Sequence, residues 1–227
     1  MTLPGPTWPA AEVADQPLLW PAREQARMEG LISTFVTDQV TTPTGEVVQR
    51  DWLRHPGAVA VIALDADDRI AVVHQYRHPA GFRLVEAPAG LLDVDHELAV
   101  RAAQRELAEE AQLQAADWRV LVDLFTSPGS SQESIRIFLA QDLSPTPRPD
   151  GFVVEGEEAD MALGWARVDD VIDAVLNGRV QSPTLIAGVL ALQVARTAGG
   201  FDRLRLATAP WPARQVKHDR DLADAAR

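Results

Sequence analysis

The stretch from Gly90 to Leu113, GLLDVDHELAVRAAQRELAEEAQL, decides the fold. Its second half has helical periodicity from about Glu97 to Ala111. At about 100° per residue, Val100, Leu107 and Ala111 fall within about 40° of one another and make an apolar stripe. The same arithmetic places Glu106 and Glu110 roughly 40° apart, with Glu109 about 60° to the other side of Glu106. The three carboxylates share one patch, and it abuts the core stripe instead of opposing it. They are expected to be half buried.

Such a patch is costly. Like charges at i,i+3 and i,i+4 repel, partial burial strengthens the repulsion, and the C-terminal end of a helix disfavours anions. Arg105 reaches Glu109 at i,i+4, but one guanidinium does not neutralise three carboxylates. A divalent cation would, and clustered oxygen donors favour a hard ion, Mg2+ or Mn2+. The plain alternative for an acidic turn taken in isolation is a solvated helix face.

Outward from this segment, residues 1–28 are rich in Pro and Ala, lack periodicity and read as an extended arm. GLISTFVTDQVTTPTGEVVQRDWL alternates around TPTGE as a hairpin. GAVAVIALDADDRIAVVHQYRH repeats the scheme with a more continuous apolar run, and DADD supplies the turn. GFRLVEAPAG adds a short strand ending in a Pro and Gly loop. WRVLVDLFTS, ESIRIFLAQDL and MALGWARV are further strands. DDVIDAVLNG reads as a helix that starts at an Asp cap and stops at Gly178, and SPTLIAGVLALQVART as a second one. Beyond residue 200 the chain looks irregular.

The bulk numbers bound the function. With 227 residues, 46% hydrophobic and 24% charged, the composition is that of an ordinary globular protein. There are no cysteines, which removes disulfides, thiolate nucleophiles and cysteine-held metals; any metal binds oxygen or histidine. The net charge of −12 repels polyanions, so nucleic acid is not an expected partner. Neither a secretory leader nor an apolar run of membrane-spanning length is apparent, and a cytoplasmic, non-membrane protein is expected.

Gly90, six residues, Glu97, seven residues and then RELAEEAQL, preceded by a strand and the APAG loop, resemble the signature of the Nudix hydrolases. That signature is a glycine, five residues, a glutamate, seven residues, then R-E-U-x-E-E-x-G-U, with U a bulky aliphatic residue. Two positions depart from it. The loop between Gly90 and Glu97 is one residue longer, and Gln112 stands where the pattern has glycine. A non-glycine residue in a left-handed C-cap costs about 1 kcal/mol. The likeness runs from about Gly45 to Arg196: HPGAVAVIALD, QYRHPAG, EAPAGLLD, LFTSPGSSQESIRIFLA, EEADMALGW and GVLALQ are similar, in order, to blocks of bacterial ADP-ribose pyrophosphatases.

The resemblance implies an α/β fold, a Nudix-type α/β/α sandwich with a mixed β-sheet plus an N-terminal β-subdomain. It implies an arm and dimerising subdomain at 1–55, a hydrolase domain at 56–200 and a C-terminal tail at 201–227. The implied activity is metal-dependent hydrolysis of ADP-ribose to AMP and ribose 5-phosphate by a homodimer. The alternatives are hydrolysis of another nucleoside diphosphate sugar or dinucleotide, or a noncatalytic ADP-ribose sensor. Carried over by position, Glu106 and Glu110 would hold the metal, assisted by Glu109 and the Ala89 carbonyl. Arg105 would orient the cluster and be fixed by Glu97. Arg77 would contact the diphosphate, Glu133 would line the substrate site, and Glu158 would be the base, with Glu157 and Glu155 as rivals.

Overall fold

The computed structural model describes residues 9–94, 96–149 and 160–225, and its strands form three sheets. The first is antiparallel, in the order β1 (Ala22–Glu29), β2 (Thr34–Thr41) and β3 (Val47–Arg54). The hairpin at TPTGE forms as expected: the Gly45 N–H donates to the Thr42 carbonyl at 2.9 Å, and Gly45 takes φ +84°. The arm is corrected by β1, which pairs with β2 along its length apart from a bulge between Glu24 and Ala26. Most of β1 is exposed, so backbone pairing holds it, with no apolar alternation to mark it beforehand.

Next in the chain come β4 (Ala58–Ala63), β5 (Arg69–Arg77), β6 (Phe82–Glu86), β7 (Ala89–Leu91) and α1 (Ala99–Ala111). They are followed by β8 (Leu113–Phe125), β9 (Ser134–Pro145), β10 (Ala162–Arg167), α2 (Val168–Leu176) and α3 (Pro183–Thr197). The chain ends in β11 (Arg205–Leu206) and α4 (Pro212–Ala225). The central mixed sheet has the order β11-β8-β9-β4-β7, with β4 parallel to β9 and the other pairs antiparallel. The third sheet is β10-β5-β6.

The alternation of β4 makes the sandwich. Ala58, Ala60 and Ile62 join a cluster with Leu185, Val189 and Leu192 of α3 on one face. Val59, Val61 and Ala63 join Ala102, Ala103, Leu107 and Ala111 of α1 on the other. The run is continuous in the sequence because both faces are covered. Gly188 lets α3 lie close, since a Cβ there would sit 2.7 Å from Ile62.

Three expectations change. β4 and β5 meet at the DADD turn, where Asp68 takes φ 62°, yet they enter different sheets, because β9 and β7 occupy both edges of β4. α2 has Arg167 at its N-cap with no side-chain cap; Asp169 and Asp170 lie in its first turn and complement the helix dipole instead. Its stop at Gly178, with φ +70°, is as expected. Beyond residue 200 the described residues carry regular structure: β11 extends the central sheet and α4 follows it.

Buried Arg136 anchors that segment. It pairs with Asp123 at 2.7 and 2.9 Å, donates to the carbonyls of Ala209 and Pro210, and stacks 4.8 Å from the Trp211 ring. Farther along α4, Arg220 stacks 4.5 Å from the Trp52 ring, whose indole N–H donates to Asp38 at 2.8 Å. α4 therefore touches both the N-terminal sheet and the sandwich. Among the described residues no helix is long and apolar enough to cross a membrane.

Candidate active site

Helix α1 begins at Ala99, with Leu98 as its extended N-cap, so Glu97 precedes the helix instead of opening it. From there Glu97 receives the Arg105 guanidinium at 3.3 and 3.2 Å. The same guanidinium donates to Glu106 at 2.6 Å and to Glu109 at 3.0 Å. Arg105 is thus the hub of the acidic turn, and it offsets more of the repulsion than its sequence separation suggested. The turn is also deeper than expected, with Glu106 and Glu110 only 9% and 8% exposed.

Burial pushes the Glu106 carboxyl up to about 7; Arg105 opposes the shift, and Glu109 and Asp93 add to it. Burial also pulls on Arg105, but its hydrogen bond to Glu97 and the charges of Glu106, Glu109 and Glu97 outweigh this and raise its pKa. The helix ends with Gln112 in the left-handed region, at φ 53° and ψ 40°, which is where the signature's glycine would stand.

Strand β7 lies against these carboxylates. The Ala89 N–H donates to Glu110 Oε2 at 3.0 Å, so the structure brings together the two residues assigned as ligands, here through the amide. A Cβ built on Gly90 would lie 2.0 Å from Glu106 Cδ and 2.1 Å from Oε1. Glycine at this position leaves a cradle that the Glu106 carboxylate fills.

Hard, buried carboxylate oxygens beside a backbone cradle suit Mg2+ or Mn2+ by donor chemistry. Among the described residues, no three His, Asp or Glu side chains are grouped as a ready-made cation cage; Arg105 draws Glu97, Glu106 and Glu109 onto its own N–H groups.

The other assigned residues have partners of their own. Arg77, at the end of β5, pairs with Glu86 of β6 through Nε at 3.2 Å and a terminal nitrogen at 2.7 Å. Glu133 accepts a short hydrogen bond from Thr126 and has its own N–H on Ser131 Oγ at 3.0 Å. His55 Nδ1 stands 3.6 Å from Glu133 and accepts the Gly57 N–H at 3.1 Å. Glu158 and its rivals Glu157 and Glu155 lie outside the described residues.

Sequence reasoning passed over Glu86, His55 and the role of Gly90 toward Glu106. An acid closing a strand just before a Pro and Gly loop was the available signal for Glu86; His55 had none beyond preceding Pro-Gly. A cavity of about 1190 Å³ is lined by Trp20, Arg50, Trp52, Gln132, Trp211 and Lys217, among others, and by none of the α1 carboxylates.

A glutamate-rich helix turn set against a glycine strand, on an α/β/α sandwich, defines a class. Residues 54–187 match the NUDIX domain, and the chain belongs to the NUDIX family. It is 44% identical over 198 residues to an ADP-ribose pyrophosphatase of Mycobacterium tuberculosis, covering 87% of this chain and 90% of that one. It is 38% identical over 123 residues to an ADP-ribose pyrophosphatase of Bacillus subtilis, covering 54% of this chain and 65% of the other. A crystal structure of an ADP compounds hydrolase superposes with a TM-score of 0.61 at 20% identity, covering 82% of this chain and 98% of that one, a likeness of fold.

Proposed function

We propose that this protein hydrolyses the diphosphate of ADP-ribose to AMP and ribose 5-phosphate with a divalent cation, Mg2+ or Mn2+. Glu106, Glu109 and Glu110 hold the cation with the Ala89 carbonyl. The observation that carries this reading is the packing of the Glu106 carboxylate into the space left by Gly90. Membership of the NUDIX family and the 44% identity to an ADP-ribose pyrophosphatase support the substrate.

When bound, the cation polarises the diphosphate and lowers the pKa of the attacking water. Arg105 sets the carboxylates in register and neutralises those not engaged. Arg77, oriented by Glu86, contacts the diphosphate, and Glu133, fixed by Thr126 and Ser131, lines the substrate site. Glu158, in the EEADM stretch, accepts the proton of water as its oxygen bonds to phosphorus and the bridging P–O bond breaks.

The protein works as a homodimer paired through the N-terminal sheet. The exposed Met28, Leu31, Ile32 and Phe35 around that sheet support this. The test of the function is a substrate panel in Mg2+: product release is fastest from ADP-ribose. A preference for GDP-mannose or a dinucleotide would overturn the substrate and leave the class standing.

A further inference from the structure

The C-terminal helix contributes a residue to the neighbourhood of the site that its position in the sequence conceals. Arg214, in the first turn of α4, donates to the Pro56 carbonyl at 2.6 Å and, more weakly, to the Leu92 carbonyl at 3.4 Å. It is half buried, and among the described residues no carboxylate lies within ion-pair distance of it. Burial of its guanidinium is costly and lowers its pKa, and the charge of Asp221, beyond ion-pair distance, offsets only part of that. The return is two backbone acceptors on two different segments.

Those segments matter. Pro56 and Gly57 lead from the N-terminal sheet into β4, and the Leu92 N–H donates back to the Gly57 carbonyl at 3.0 Å. Leu92 is 4% exposed and packs in the cluster that holds the apolar face of α1. It follows Gly90 by two residues, and it opens the loop that is one residue longer than the signature and contains His96 at φ 61°. A longer loop leaves more conformations open. The backbone leading into α4 is held too, since Arg136 donates to the carbonyls of Ala209 and Pro210 at 2.7 and 2.9 Å.

We propose that Arg214 is a positioning residue, holding the strand and loop around Gly90 against α1 so that the Glu106 cradle keeps its shape. The inference rests on the reading of α1 as the catalytic turn. Arg214 touches none of the reacting groups; it acts through the Leu92 and Pro56 backbone.

The test is Arg214→Met, which keeps the apolar stem and removes the donors, beside Arg214→Lys, in the full chain. Amide hydrogen exchange of a peptide spanning Ala89 to Leu107 is followed together with ADP-ribose turnover in Mg2+. In Arg214→Met, exchange of that segment is faster, kcat falls about tenfold and KM changes less than about twofold. Arg214→Lys, which can still reach one carbonyl, falls between the variant and the native protein on both readouts and keeps the proposal testable if the methionine variant does not fold. Native exchange and native kcat in either folded variant would overturn the proposal. If the native protein has no ADP-ribose turnover, the substrate reading fails while exchange still decides: faster exchange upholds the positioning role and unchanged exchange removes it.

Discussion

The space that a side chain at Gly90 would need is the space the Glu106 carboxylate occupies, since a Cβ at that position would fall only 2.0 Å from Glu106 Cδ. Gly90→Ala therefore displaces the carboxylate or the strand beneath it. The backbone there needs no left-handed conformation, so the fold survives. We expect kcat for ADP-ribose to fall about a hundredfold with circular dichroism unchanged. Native turnover in the folded variant would remove the cradle from the account.

His55 gives the fold a pH dependence. Burial lowers its pKa below 6.5, partly opposed by Glu133 and reinforced by Lys217. Between the lowered folded value and 6.5 the unfolded chain binds more protons at this histidine, so its contribution to stability rises with pH across that window and is lost as the pH falls through it. Buried Glu106, raised to about 7, contributes a slope of the opposite sign below that value. The histidine's share is therefore read as the difference in urea denaturation from about pH 5 to pH 8 between the native protein and His55→Asn, whose amide oxygen can still accept the Gly57 N–H; the native-minus-variant stability should rise with pH. A native slope in the variant would contradict the assignment.

Arg136 is 2% exposed and paired with Asp123. Arg136→Met leaves that carboxylate to Arg205 and the carbonyls of Ala209 and Pro210 unmet. We expect a loss of about 3 kcal/mol in denaturant unfolding, and increased proteolysis beyond residue 200 at native temperature. A change well below 1 kcal/mol would show that the C-terminal segment is held elsewhere.

Gln112 occupies the left-handed C-cap of α1 at φ 53°. Gln112→Gly removes the Cβ penalty and keeps the carbonyl that accepts the Thr146 N–H. The variant should gain up to about 1 kcal/mol and a correspondingly higher Tm. A lower Tm would mean that the glutamine side chain contributes more than its strain costs.

Much of this was legible in the sequence, for physical reasons. The α1 stripe and the β4 run are long, regular and buried, so their periodicity survives in the residue types. The acidic turn was readable because its costs show at fixed spacings. What was missed had little apolar signal. Strand β1 buries little, and α4 couples to its surroundings through Arg214 and Arg220 and to itself through Lys217 and Asp221. Charged residues over four turns resemble a solvated tail until the partners are seen. The Arg77 pair with Glu86 joins neighbouring strands whose register no spacing encodes.

The central claim is that the α1 carboxylates drive hydrolysis, and its most direct test is turnover by Glu106→Gln and Glu110→Gln. These neutral, near-isosteric changes leave the helix intact. Steady-state release of AMP and ribose 5-phosphate from ADP-ribose in Mg2+ should fall about a thousandfold in each, with circular dichroism unchanged. Turnover equal to that of the native protein in both folded variants would contradict the account.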